Sequence, residues 1–106
     1  MALFDFLKSP DINAGVAAFA RTPKAILLDV RTQEEFAKGR VPRSKNMPLH
    51  EIRKADKEIP DRSTPLFVYC LSGARSRQAV SELRHMGYQN VTNIGGINGY
   101  RGAVEG

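Results

Sequence analysis

Apolar residues occur along this chain in two rhythms, short continuous runs and stretches spaced as on a helix. The runs are Ala25-Ile26-Leu27-Leu28-Asp29-Val30, Leu66-Phe67-Val68-Tyr69 and Val91-Thr92-Asn93-Ile94, each short enough for a buried strand. Helical spacing links Ile12, Val16, Phe19 and Ala20, then Leu49, Ile52 and Ala55, then Ala79, Val80 and Leu83. Breakers separate the segments. Ser9-Pro10-Asp11 starts the first helix and Arg21-Thr22-Pro23 stops it. Thr32 with Glu35 forms a capping box that opens a short helix carrying Phe36 and Ala37 inward and ended by Gly39. Val41-Pro42 and Pro48 bracket a short strand at Asn46-Met47, and Pro60-Asp61 marks a break. Gly87 sits where a left-handed helix cap belongs, and Gly95-Gly96 reads as a turn before one helical turn over Ile97 to Tyr100.

Strands alternating with helices predict an α/β fold, a mostly parallel sheet with helices on both faces. In such sheets the functional crevice lies outside the carboxyl ends of the strands. Asp29 and Cys70 both end strands and so share that rim. The 106 residues form one domain, residues 1–106 with its core at about 12–101, without repeats or linkers.

Composition narrows the function. Apolar residues at 42% and charged residues at 25% are those of an ordinary globular chain. The net charge of +5 is spread out, with no basic run and no interleaved aromatics, which favours small anions over nucleic acid as partners. A single cysteine makes no internal disulfide, so the fold needs no oxidising compartment. Met1 to Lys8 is too short, and with Asp5 too polar, for a signal-peptide core; no apolar run reaches membrane-span length. The expected setting is the cytoplasm, and the expected state a monomer without membrane contact. His50 and His85 lack partners at metal-ligand spacing, so both read as surface residues and no metal or cofactor is expected.

The chemistry concentrates where the Leu66 strand runs into the helix carrying Ala79 and Leu83. Cys70 stands at the mouth of a polar loop of about five residues. A free thiol near a pKa of about 8.5 is mostly protonated at neutral pH. Backbone amides of Leu71, Ser72, Gly73, Ala74, Arg75 and Ser76 turned inward, with the positive helix end behind them, lower that value and make the thiolate available. Gly73 permits the backbone angles such a cradle needs, and the Ser72 and Ser76 hydroxyls are further donors. Asp29 is read as a hydrogen-bond acceptor for neighbouring loops, and Arg31 as a structural partner of Glu35 or Glu34. Arg75 either faces the pocket or braces an acidic group behind the loop.

These residues, in this order, resemble the rhodanese family of sulfurtransferases. The matching pieces are Leu28-Asp29-Val30-Arg31 with Glu34-Glu35-Phe36, Gly39-Arg40-Val41-Pro42 leading to Asn46-Met47-Pro48-Leu49, and Val68-Tyr69-Cys70 through Ser76. Leu83-Arg84-His85-Met86-Gly87-Tyr88 and Asn93-Ile94-Gly95-Gly96-Ile97 complete them, so the likeness runs from Ile26 to Tyr100. The resemblance implies a five-stranded parallel α/β fold whose loop cysteine accepts a sulfane sulfur and passes it on. Four positions depart from the family pattern: Arg40 for histidine, Arg43 for glycine, Leu71 for arginine, and Tyr100 for tryptophan. The expected activity is a sulfurtransferase in which a Cys70 persulfide carries sulfur from thiosulfate or a persulfide to cyanide or a thiol. With no second cysteine the acceptor is external, a thiol or a thioredoxin-like protein. The alternative is a non-turnover sulfur carrier loaded by a partner, which Leu71 favours. Phosphatase or arsenate chemistry is disfavoured, because Cys70 to Arg75 spans Cys-x4-Arg, one residue short of a phosphate cradle.

Overall fold

Two short runs, Ile26–Asp29 (β1) and Leu66–Cys70 (β3), lie side by side at the centre of a parallel sheet, Leu28 opposite Val68 and Asp29 opposite Tyr69. Ser44–Asn46 (β2) flanks β1 and Val91–Gly96 (β4) flanks β3, giving the order β2-β1-β3-β4 with every pairing parallel. The structure, a computed structural model, describes residues 10–106. The reading of Met1 to Lys8 and the Ser9 part of the first turn lie outside the described residues.

Both faces of the sheet are covered, which is why its central strands read as unbroken apolar runs rather than alternations. Leu28, Val30, Val68 and Cys70 point to one side. They pack with Ala79, Val80 and Leu83 of the helix Ala74–His85, and with Ile52, Ala55 and Ile59. Leu27 and Tyr69 point to the other, against Ile12 and Phe19 of the first helix, α1 (Ile12–Arg21). Asp11 caps α1 by accepting the Asn13 N–H. Ala20 is exposed, at the edge of the buried stripe. A second helix, α2 (Gln33–Lys38), has the anticipated capping box but buries nothing: Phe36 is half-buried and Ala37 exposed. The Leu49 stretch is a 3₁₀ helix to Lys54 followed by the short helix α3 (Ala55–Glu58), and the long helix Ala74–His85 is α4.

Where five strands are expected, the described residues form four. The nearest thing to a fifth is an isolated antiparallel bridge between Arg40 and Glu105, whose N–H groups and carbonyls exchange bonds of 2.8 and 2.9 Å. It goes no further because the next N–H, that of Val41, donates to the Tyr69 hydroxyl (3.1 Å), and Pro42 has none to give. Burial pushes the Tyr69 phenol up to about 12, so it stays a neutral hydroxyl.

Gly95-Gly96 is not a turn. β4 runs through both, and its register slips so that Val68 faces Asn93 while Tyr69 faces Gly95. Ile94 is thus the extra residue of a bulge, with Gly95 in the left-handed region at φ +99°. The chain turns one step later, in the 3₁₀ turn Ile97–Gly99.

Candidate active site

The link from β3 to α4 is shorter than the sequence suggests: Leu71, Ser72 and Gly73 make the loop, and Ala74, Arg75 and Ser76 already form the first helical turn. Gly73 is the cap, at φ +106°. A helix start leaves its first N–H groups without partners inside the helix. Here they are spent on sulfur. Gly73 N–H lies 3.0 Å from Cys70 Sγ and Ser76 N–H 3.3 Å, while Ser76 Oγ is 3.5 Å away.

Cys70 is buried, and burial pushes its thiol up. For the ionised sulfur, hydrogen bonding with the Ser76 hydroxyl and with the N–H groups of Ser76, Gly73 and Ser72 outweighs that effect, and the net shift is downward. The cradle is therefore main chain in the most part. Leu71, Ser72 and Ala74 are exposed side chains; Leu71, at 45%, and Val104 are the large exposed hydrophobics among the described residues.

Strand β4 props the loop from below. An added Cβ at Gly96 would lie 2.1 Å from the Leu71 carbonyl oxygen, and Asn98 N–H donates to that oxygen at 3.2 Å. Asn93, on the same strand, accepts from the Ser76 hydroxyl at 2.7 Å. Neither Asn93 nor Gly96 was singled out by chemical reasoning on the sequence. The available hint was an asparagine inside a strand, a residue type strands disfavour.

The charged residues sort into two separate pairs. Asp29, fully buried at the end of β1, is bound by the Arg31 guanidinium through Nε (3.0 Å) and the second terminal nitrogen (2.7 Å), and by Arg31 N–H (2.9 Å). Arg31 also donates to Gly39 O at 2.6 Å. Its partner is thus Asp29, and not Glu34 or Glu35. Positions two apart on an extended chain share a face, whereas Glu35 is turned toward α4. Asp29 takes its bonds from Arg31 and not from neighbouring loops. Glu35 instead accepts both arms of the Arg75 fork, at 2.7 and 3.0 Å, so Arg75 braces α2 against α4 and leaves the sulfur to the backbone. That pairing, opposed by burial and helped by Thr32, holds the Glu35 carboxyl down to about 2.

Beside Arg75 a groove of about 770 Å³ opens between α4 and the 3₁₀ helix, with Pro48, Leu49, His50 and Gln78 in its walls. His50 and His85 are exposed, the first 3.2 Å from Glu51, the second bonded to Ser81 O. Among the described residues, no group of three or more His, Cys, Asp and Glu is placed to hold a metal ion.

The arrangement has known counterparts. The family model for the rhodanese-like domain matches residues 14–103. A sulfurtransferase of Allochromatium vinosum is 42% identical over 79 residues, 74% of this chain and 73% of that protein. Thiosulfate sulfurtransferase PspE of Escherichia coli K12 is 37% identical over 71 residues, 66% of this chain and 68% of that one. A solved rhodanese with anions from E. coli aligns at TM-score 0.71 and 32% identity, covering 76% of this chain and 96% of its own. A solution structure of a rhodanese-like domain from Anabaena, at TM-score 0.80 but 24% identity, covers 92% and 78% and speaks for the fold alone.

Proposed function

The chain belongs to the rhodanese-like domain family, and from that premise we propose that it moves a sulfane sulfur by way of a persulfide on Cys70. The observation that carries this reading is the convergence of Gly73 N–H and Ser76 N–H on one buried sulfur, at 3.0 and 3.3 Å. Donors aimed at a sulfur anion also suit the anionic outer sulfur of a persulfide. Relatives named as sulfurtransferases support sulfur transfer of this general type.

In the first step the Cys70 thiolate attacks the terminal sulfur of a small anionic donor. The new Sγ–S bond forms as the donor's S–S bond breaks, and the leaving sulfite or thiolate takes the electron pair. In the second, cyanide or an external thiolate, free or on a thioredoxin-like protein, attacks the outer sulfur, and the Sγ–S pair returns to Cys70. Electrons balance without a cofactor. On the same proposal the protein works in the cytoplasm as a monomer, without nucleic acid or membrane. Among the described residues, no helix is long and apolar enough to cross a membrane.

Incubation with a donor should add one sulfur, about 32 Da, to the intact mass, and Cys70→Ser should abolish the gain. No gain with thiosulfate or with any organic persulfide would overturn the reading. Exposed Leu71 favours a second version, a carrier loaded by a partner protein. An arginine there would attract thiosulfate; a leucine offers an apolar contact instead. Steady-state turnover from thiosulfate to cyanide separates the two, since a carrier loads stoichiometrically and stops.

A further inference from the structure

The Ser76 hydroxyl has one proton and four acceptors around it. Its Oγ lies 2.7 Å from Asn93 Oδ1, 3.0 Å from Gly73 O, 3.5 Å from Gly95 O and 3.5 Å from Cys70 Sγ. The orientation of the Asn93 amide is not open. Gly95 N–H, which can only donate, points at the same side-chain atom at 3.0 Å, so that atom is the oxygen. The Asn93 nitrogen faces the Gly73 carbonyl at 3.5 Å, as a donor should. Asn93 Oδ1 therefore cannot donate to Ser76, and the short 2.7 Å contact takes the Ser76 proton.

Resting on the assignment of Cys70 as the nucleophile, we infer that Asn93 is a positioning residue that holds the Ser76 proton away from Cys70 until the sulfur ionises. With the thiol neutral, a single chain runs S–H to Ser76 Oγ, then O–H to Asn93 Oδ1. The oxygen then presents only lone pairs to the sulfur, which suits a thiol and opposes a thiolate. Once the sulfur carries charge, rotation of the hydroxyl alone turns the proton from Asn93 to Sγ, with no heavy atom moving. Asn93 keeps Gly95 N–H as its remaining donor. The cradle thus has constant donors in its amides, with Gly73 and Ser76 nearest at 3.0 and 3.3 Å, and one conditional donor whose release Asn93 resists.

Other charges near the sulfur do not supply this switch. β4 carries no charged residue, and α1 only Arg21, exposed at its last position. Asp29 is bound by Arg31, Arg75 by Glu35, and Glu51 by Lys54 and His50. Arg53, Arg77 and Glu82 are exposed.

The test is the pH profile of Cys70 alkylation by iodoacetamide, read by intact mass on the full chain. Asn93→Ala removes the nearest acceptor of the Ser76 proton, leaving Gly73 O at 3.0 Å and Gly95 O at 3.5 Å as weaker competitors of the sulfur, and should lower the midpoint by about half a pH unit. In a Ser76→Ala background the same change should have no effect, because there is no proton to hold. An unchanged or raised midpoint in the single variant, or an equal shift in both backgrounds, would overturn the inference. Asn93→Asp covers the case where loss of the Gly95 contact unfolds the chain: it keeps both accepted bonds and grips the proton harder. Its upward shift should shrink when Ser76 is alanine; an undiminished shift is electrostatics alone and sinks the proposal. Alkylation reads the thiolate with no sulfur donor present, so its failure is distinct from a failure to gain sulfur mass.

Discussion

Glu35 does two jobs with one carboxylate. Its Oε1 closes the capping box on Thr32 N–H at 3.0 Å and takes one arm of the Arg75 fork at 2.7 Å, while Oε2 takes the other at 3.0 Å. Its folded value of about 2 lies below the ordinary 4.5, so the pair adds stability at pH values above about 4.5 and loses it as pH falls toward 2. The pair is about one-third exposed, which limits its worth to about 1 kcal/mol. Glu35→Gln should therefore lower the urea midpoint at neutral pH, and the gap from wild type should close as the solution is acidified to about pH 2. The capping box was legible in the sequence, since Thr32 and Glu35 are local. The Arg75 partner was not, because it depends on α2 and α4 meeting across 40 residues of chain. The Asp29–Arg31 pair had a readable cue, two opposite charges on one face of an extended segment, which the nearer-looking helix acids obscured.

Elements show the same division between local and distant causes. Gly87 at the end of α4 was legible as a left-handed cap, and it has φ +98°. Tyr88 N–H donates to Leu83 O and Gly87 N–H to Arg84 O, the pair of bonds that closes such an end. Gly95-Gly96 reads as a turn but is not one: Gly95 is required by the left-handed bulge and by Pro10 O, 2.7 Å from an added Cβ, and Gly96 by the active-site loop crossing over the strand. The two positions predict different costs. At Gly87 an added Cβ meets nothing nearer than Arg62 at 3.8 Å, so Gly87→Ala should cost about 1 kcal/mol, from backbone strain alone. At Gly96 the Cβ would strike Leu71 O, so Gly96→Ala must shift the loop itself. That variant should lose about 2–4 kcal/mol in chemical denaturation and slow the alkylation of Cys70 at neutral pH. Gly87→Ala should leave alkylation untouched.

At the scale of the molecule, the α/β arrangement with helices on both faces was legible because sheet and helix impose such different spacings on apolar residues. The strand count was not, since whether Arg40 and Glu105 extend into a ladder is decided by a proline and a tyrosine hydroxyl. The net charge of +5 acts on the molecule as a whole. Thiosulfate or an organic persulfide anion should therefore react with Cys70 more slowly as salt is raised from about 0.01 to 0.15 M, while neutral iodoacetamide should respond much less. Equal salt dependence for both reagents would show that the field of the protein does not steer its donor.

Because the sulfur is held by main-chain N–H groups, while the Leu71 side chain projects outward from a carbonyl pinned by Gly96 and Asn98, reactivity and recognition occupy different atoms of the same three-residue link. Position 71 is in that sense an interchangeable faceplate on a fixed engine. A lineage, or an experimenter, can exchange what this protein greets at its doorway without retuning the nucleophile behind it.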